Sequence, residues 1–552
     1  MKEENSSAEA VYVDAEAQDD LKAGNSGHTG DAMLTAGHGG ETQRGMKSRH
    51  IQFLALGGAI GTGLFVGSGS ILSTVGPAPL LMAYLSNMII VWVVMNDLAE
   101  MVTYLPMKGI TIPYFVGRYV DKSLSFASGY NYWYAYSILV AAEAVAGGIL
   151  LSYWAPNVNP GVWITIFLVL VFALNMIAVS FFGEAEFWFA SIKLITITGL
   201  IILGWVLFFG GGPNQDGVVG FRYWNNPGAF NEYLVAGSTG RFLAYWTAFV
   251  RAGFAFITSP ELIALAAGEV LAPRRNIPKA ARRYVYRLLL FYGMGSFIIG
   301  VIVPFNNERL LSPESNASAS PFVIAIQNAG IGGLNHVINA AILTSAWSAG
   351  NAFLYSGSRI LYGLALSGQA PRFFGRTTKR GIPWAAVLVT WLPGCLAYLT
   401  VSDTSAVVFD WFVNISTISG YVAWIVCLIT YLRFREALSH QGLLHTLPYK
   451  TPFQPAATWI VLVVLTILTI TNGFQVFFPS NWSISGFLAA YITIPIFLAL
   501  YLGHKLVRRT KFYIGVADID VISGKKEMDE YCALDEEPVA RNWLHKCWLW
   551  LA

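Results

Sequence analysis

The sequence predicts an all-α polytopic membrane protein with about twelve transmembrane helices. Three observations carry this. Apolar residues make up 55% of the 552-residue chain and charged residues only 12%, with a mean hydropathy of +0.53, outside the composition of soluble globular domains. Apolar runs of about 20 residues, the length that crosses a bilayer core, recur along the chain. Basic residues gather in alternate loops between those runs. Cys395, Cys427, Cys532 and Cys547 are scattered without a CxxC pair, so neither a disulfide framework nor a zinc site is indicated. No GxxxxGK loop occurs, which argues against an ATP-driven pump. The net charge of +3 is small, and neither a cofactor nor a nucleic-acid partner is expected.

Residues 1–44 are rich in Glu, Asp, Ser and Gly and read as a disordered acidic tail, either regulatory or simply solvated. Arg44, Lys47, Arg49 and His50 precede the first span and place the N-terminus in the cytoplasm. Residues 45–508 form the transmembrane domain. Spans are predicted at 51–74, 79–104, 124–154, 161–181, 187–210, 242–267, 284–305, 334–366, 384–401, 406–432, 456–478 and 484–507. With the N-terminus inside, Lys108, Arg118, Lys122, the cluster Arg274 to Arg283, Arg372 to Arg380, Arg433, Arg435 and Lys450 all fall inside, and the outside loops hold little beyond Arg222 and Arg309. Asn316 and Asn481 begin formal glycosylation sequons in outside loops. The inner stretch 433–455 is expected to lie on the membrane or on another inner loop. Residues 509–552 form a cytoplasmic tail whose last tryptophans rest at the interface or dock on the inner face, with Cys547 open to palmitoylation.

The first span, IQFLALGGAIGTGLFVGSGS, holds six glycines, each costing a helix interior about 1 kcal/mol relative to Ala. It reads as a deliberately broken helix. At Ala59, Ile60, Gly61, Thr62 and Gly63 the second half would start with free N–H groups suited to a carboxylate, and the carbonyls ending the first half would face an ammonium. The other reading is that Gly57, Gly61, Gly63 and Gly67 are small contacts for a neighbouring helix. Span six repeats the anomaly in Gly253-Phe-Ala-Phe-Ile-Thr-Ser-Pro-Glu261. Spans one and six open two five-span halves. Paired breaks at matching positions point to a midplane binding site in an inverted-repeat transporter, which favours the functional reading. A channel filter or repeated ring of residues is not seen.

Charged residues inside spans cost a few kcal/mol each and usually face protein or water. Glu143 either binds substrate or a proton or pairs with a base. Lys193 either exchanges a proton or snorkels to the surface. Arg251 reads as a gate or a charge partner. Asp97 and Glu100 are expected to be structural, pairing with loop bases.

These segments resemble the fungal amino-acid permeases of the amino acid, polyamine and organocation superfamily, over about residues 49–509. The resemblance rests on Gly57-Gly-Ala-Ile-Gly-Thr-Gly-Leu-Phe65, Ala99-Glu-Met101, Phe182-Gly-Glu-Ala-Glu-Phe187, Ala190-Ser-Ile-Lys193, Asn276-Ile-Pro-Lys-Ala280 and Asn414-Ile-Ser416. Within that family, residues 320–329, 341–351 and 414–420 look most like the proline permease subgroup. The resemblance implies a LeuT-type five-plus-five inverted repeat with two added C-terminal spans, a plasma-membrane location and proton-coupled uptake. It implies a carboxylate-binding break at Gly61 to Gly63 with Thr62, and substrate-sensitive positions at Glu143, Arg251, Phe254 and Trp347; beside these, Phe256, Ile257 and Ser348 are expected to touch the substrate as neighbours on the same segments. The resemblance places Lys193 where relatives couple to an ion, and from their positions inside span six Arg251 and Glu261 are expected to share in gating or coupling. Thr111 and Ile112 depart from the family loop, as does Ile257-Thr-Ser-Pro260, which replaces a Gly-containing break. The expected function is uptake of proline or a small neutral amino acid, with protons, the lipid bilayer and regulatory proteins on the tails as partners. The alternatives are a broader neutral amino-acid or 4-aminobutyrate permease, and an amino-acid receptor that does not transport.

Overall fold

The computed structural model describes residues 61–106, 112–177, 179–215, 217–261, 273–311, 320–378, 381–533 and 542–543. Ala59, Ile60, the first half of the predicted first span, the Asn316 sequon and the terminal tryptophan motif lie outside these residues. Among the described residues the regular elements are all helical.

Twelve apolar helical segments match the predicted spans in order. They are α1 (Gly63–Val75), α2 (Pro77–Tyr104), α3 (Lys122–Ser152), α4 (Pro160–Ile177), α5 (Val179–Phe208), α6 (Gly237–Glu261), α7 (Pro273–Ile302), α8 (Leu334–Leu366), α9 (Trp384–Val401), α10 (Ser405–His440), α11 (Ala456–Ile470) and α12, whose halves Ile484–Tyr491 and Thr493–Arg508 meet at 47°. Their starts follow local chemistry. Pro77 opens α2, Asp121 caps α3 by accepting from Leu124 N, and Thr404 and Ser483 cap α10 and α12. Pro495 in α12 lacks the N–H that would bond back to Tyr491, which places the bend there.

The central pillar is α3, with 94% of its apolar window buried, whereas α4 and α5 bury only about a third and turn apolar faces outward as lipid-facing helices do. Glycines on α3 allow that enclosure: a Cβ on Gly129 would sit 2.6 Å from Leu364 and one on Gly147 2.7 Å from Phe167.

Stretches that the sequence places on the inner side differ in structure from the expectation. The basic cluster Arg274 to Arg283 is not loop but the first turns of α7, because Ile277, Ala281, Tyr284 and Leu288 recur at helical spacing and are buried. Likewise α10 continues past 432 to His440. Glu100 meets a base as expected, Arg435 at 3.1 Å, but Asp97 accepts instead from the Thr458 hydroxyl at 2.8 Å. Residues 433–455 pack on the end of α2, where Tyr449 donates to Asn96 Oδ1 at 2.6 Å and Thr451 N to Glu100 Oε2 at 3.2 Å.

After α12 the chain runs as a strap over the same basic ends of the helices. Ile514 N donates to Val120 O at 3.0 Å, Gln441 Nε2 to Ile519 O at 2.9 Å, and Arg118 to the carbonyls of Asp520 and Ser523 at 2.6 and 2.8 Å. Arg274 pairs with Asp529, and Ile519 and Val521 are buried. Lys505 and Asp121 form a buried ion pair at 2.7 Å.

Candidate functional site

The predicted break in α6 is present. The α-helix Gly237–Ala252 gives way to a 3-10 turn at Gly253–Ala255, and helix resumes only at Ser259. Thr258 sits at φ 68°, a left-handed conformation that is rare for a β-branched residue and costs about 1–3 kcal/mol. This is where the sequence lacks the expected glycine. Carbonyls at the break find side-chain donors: Asn87 reaches Phe249 O at 2.9 Å, Tyr421 reaches Val250 O at 3.0 Å, Tyr292 reaches Ala255 O at 3.0 Å and Ser259 reaches Phe256 O at 2.6 Å. The protein itself thus satisfies much of this break, as a membrane interior demands. In α1 the corresponding irregularity is a π turn over Gly63–Gly67, directly after Gly61 and Thr62.

The two breaks touch. A Cβ on Gly63 would lie 2.8 Å from Ala255 Cα, so Gly63 is required by helix contact, the alternative the sequence left open. Gly67 has nothing within 4 Å of its Cβ position and lines a cavity of about 20 Å³ with Ser70, Phe254, Arg251, Asp410 and Val413. That space holds about one water. Over it Arg251 Nη2 meets Asp410 Oδ2 at 3.2 Å, and Arg251 Nη1 lies 3.4 Å from Ser70 Oγ. Phe254 packs edge-on against Phe409 with centroids 6.0 Å apart.

A second group, wholly buried, lies on the other side of the α1 break. Thr62 donates to Glu143 Oε1 at 2.9 Å, while Glu143 Oε2 has no hydrogen-bond partner among the described residues. Gly61 faces the same carboxylate, its Cβ position 3.8 Å from Glu143 Oε1. Lys193 is 1% exposed and within electrostatic reach of both Glu143 and Glu186. Glu186 accepts from Ser348 Oγ at 2.8 Å. Lys193 thus does not snorkel to the surface, because its side chain is buried in the interior.

The remaining predicted residues lie elsewhere. Phe256 packs with tilted rings against Tyr292, centroids 4.6 Å apart, and Tyr84, 5.7 Å apart. Ile257 packs against Gly420, where a Cβ would come within 2.4 Å. Glu261 accepts from Trp424 Nε1 at 2.8 Å and Tyr132 Oη at 3.5 Å. The Trp347 ring lies 6.2 Å from Phe189. Sequence reasoning missed Asp410 and Glu186 as site residues.

A broken α6 meeting the π turn of α1 beside a buried polar cluster fits the build of a secondary transporter, in which half-helix ends and ionisable side chains converge at the midplane. The chain belongs to the amino acid permease family, whose sequence pattern matches residues 50–513. It is 55% identical over 514 residues to the proline-specific permease of Emericella nidulans, covering 92% of this chain and 93% of that protein. It is 51% identical over 498 residues to the proline-specific permease of Saccharomyces cerevisiae, covering 88% of this chain and 79% of the relative. A manganese transporter of Eremococcus coleocola, only 16% identical, superposes with a TM-score of 0.55 over 84% of this chain and 94% of its own, which shows a shared LeuT-type fold.

Proposed function

We propose that this chain is a secondary active carrier that takes up L-proline, or a closely related small neutral amino acid, together with protons across the plasma membrane, with both termini in the cytoplasm. The observation that carries this reading is identity above 50% with proline-specific permeases along about nine-tenths of the chain. The site geometry supports it. The start of α1 at Gly61 to Gly63 suits a carboxylate, since N–H groups and the positive dipole end favour an anion there. Phe254 gives the cavity an apolar wall for the substrate side chain. A space of about 20 Å³ cannot admit an amino acid until the helices part, and the Arg251–Asp410 pair between α6 and α10 is the contact that must then yield. This is the outer gate of an alternating-access cycle.

Coupling is assigned to Glu143, Lys193 and Glu186. Two carboxylates and one ammonium carry one net negative charge when all are ionised, and one bound proton removes it. Burying that charge is costly, so the neutral cluster favours closure and loss of the proton favours reopening. Thr62 ties this cluster to the α1 break, so the proton and the substrate act on one helix. The test is uptake by cells expressing the protein, with a panel of proline, 4-aminobutyrate, alanine, arginine and glutamate at several external pH values. Saturable accumulation of proline against its gradient, rising as the medium is acidified, is expected. No accumulation, as from a receptor, or mere equilibration, as from a channel, overturns the reading.

A further inference from the structure

Away from the site, a cavity of about 200 Å³ lies between α3 and the second half of α12, walled by Tyr130, Trp133 and Tyr134 on one side and Ile496, Phe497 and Leu500 on the other. The polar groups along this wall are turned into the protein. Tyr130 Oη donates to Gln369 O at 3.2 Å, Trp133 Nε1 to Thr390 Oγ1 at 3.0 Å, Asn131 Nδ2 to Ser419 O at 2.9 Å, and Thr493 Oγ1 lies 3.5 Å from Ile415 O. What faces the cavity is therefore almost wholly apolar. Water needs two to four polar partners and is a poor fit, whereas hydrocarbon is not. From Thr493 to Leu500 the groove runs roughly 10 Å along the helix.

The charge pattern at its end selects the kind of hydrocarbon. Arg508 ends α12, eight residues or roughly 12 Å beyond Leu500, within the ~15 Å half-thickness of a bilayer core. Arg508, Arg509 and Lys511 are exposed there, and Leu506, Val507 and Phe512 beside them are exposed apolar residues. Phe126 and His504 stack with centroids 4.4 Å apart one turn toward this end. A chain lying in the cleft would bring its headgroup to a cluster of cations. We propose that the cleft between α3 and α12 binds one acyl chain of an anionic phospholipid whose phosphate is held at Arg508, Arg509 and Lys511. Its placement in the cytoplasmic leaflet rests on the orientation proposed above, whereas the binding itself does not.

The test is native mass spectrometry of the full-length protein with 1-palmitoyl-2-oleoyl phosphatidylserine or the phosphatidylcholine of the same chains. Wild type should retain one phosphatidylserine through detergent washing and lose phosphatidylcholine. Leu500→Trp and Ile496→Trp should cut the retained lipid roughly tenfold by filling the groove, as loss of several buried methylenes would. Arg508→Gln with Arg509→Gln should abolish the preference for phosphatidylserine. If a tryptophan variant fails to fold, a phosphatidylserine carrying a diazirine in its acyl chain should label residues 130–134 and 493–500 of the wild type. No lipid retained by wild type, retention by both tryptophan variants undiminished from wild type, labelling elsewhere, or a dimer mass lost on filling the groove would each overturn the proposal. Proline uptake by the same variants reads the transport reading separately.

Discussion

Thr62 and Glu143 stand 81 residues apart in the chain, yet the threonine hydroxyl donates to the carboxylate at 2.9 Å in a setting where neither residue is more than 2% exposed. Glu143 Oε2 lacks a hydrogen-bond partner among the described residues, so Thr62 is its principal fixed donor. Thr62→Val keeps the shape and removes the donor. It should lower proline uptake at least tenfold, consistent with about 1–3 kcal/mol for a buried acceptor left unmet. Thr62→Ser should retain most uptake. Equal uptake by the valine and serine variants, at matched surface levels, would remove the bond from the working site.

The two glycines of the π turn should behave differently. Gly63→Ala drives a methyl against Ala255 and should reduce the amount of folded protein at the membrane. Gly67→Ala meets nothing within 4 Å and should fold normally while narrowing the cavity. The readouts are fluorescence-detected size-exclusion chromatography for folding and a competition panel for selectivity. An unchanged competition profile for Gly67→Ala would place the substrate elsewhere.

Arg251 and Asp410 should show energetic coupling. Each single neutral substitution, Arg251→Gln or Asp410→Asn, should impair accumulation, and the double variant should lose less than the sum, by a coupling of roughly 0.5–3 kcal/mol. Strict additivity in the double-mutant cycle for uptake would mean the pair does not act as a gate.

The buried trio separates the possible proton carriers. Lys193→Met, Glu143→Gln and Glu186→Gln should be compared at several external pH values in the same cells. Removal of the coupling group should abolish accumulation and its pH dependence while exchange of bound substrate partly survives. If all three keep wild-type pH dependence, the cluster is structural. If only Glu143→Gln loses it, the lysine serves as a fixed charge.

The strap has its own pH signature. Burial would raise the Asp520 carboxyl, but hydrogen bonds from Ser523 and the Arg118 guanidinium hold it below the ordinary value. A depressed folded value means the contact stabilises fully above the unfolded pKa of about 3.9 and is lost as pH falls through the folded one. Near neutral pH the same loosening should follow from Arg118→Ala, which removes the bonds to Asp520 and Ser523. Trypsin should then cut at Lys525 and Lys526 several-fold faster. Unchanged cleavage would mean that other contacts hold the strap.

Much of the fold was legible because its signals are local. Apolar run length locates spans, and the glycines of α1 and Pro260 of α6 mark the breaks. The pairings were not, since Arg251 and Asp410 are 159 residues apart and Ser348 and Glu186 are 162 apart. Glu186 was hidden for a further reason. Its charge, with that of Glu184, ends the apolar run at 187, although the helix begins at Val179. Phe256 is expected at the substrate with Phe254, but it follows the 3-10 turn of the break and turns instead to Tyr84 and Tyr292.

The Asp121–Lys505 pair also bears on biogenesis. Asp121 opens the third span, and its ammonium partner is synthesised 384 residues later. At about 5–20 residues per second the ribosome needs roughly 20–80 s to deliver it. For that interval a carboxylate destined for burial has no lysine, and it must wait in the water and headgroups at the bilayer edge, where an unpaired charge is cheap to keep. The N-terminal half of the protein is therefore inserted before it can be sealed. Asp121→Asn should reduce dependence on the last helix for survival of the nascent chain, while truncation before Lys505 should leave the wild-type carboxylate exposed to quality control.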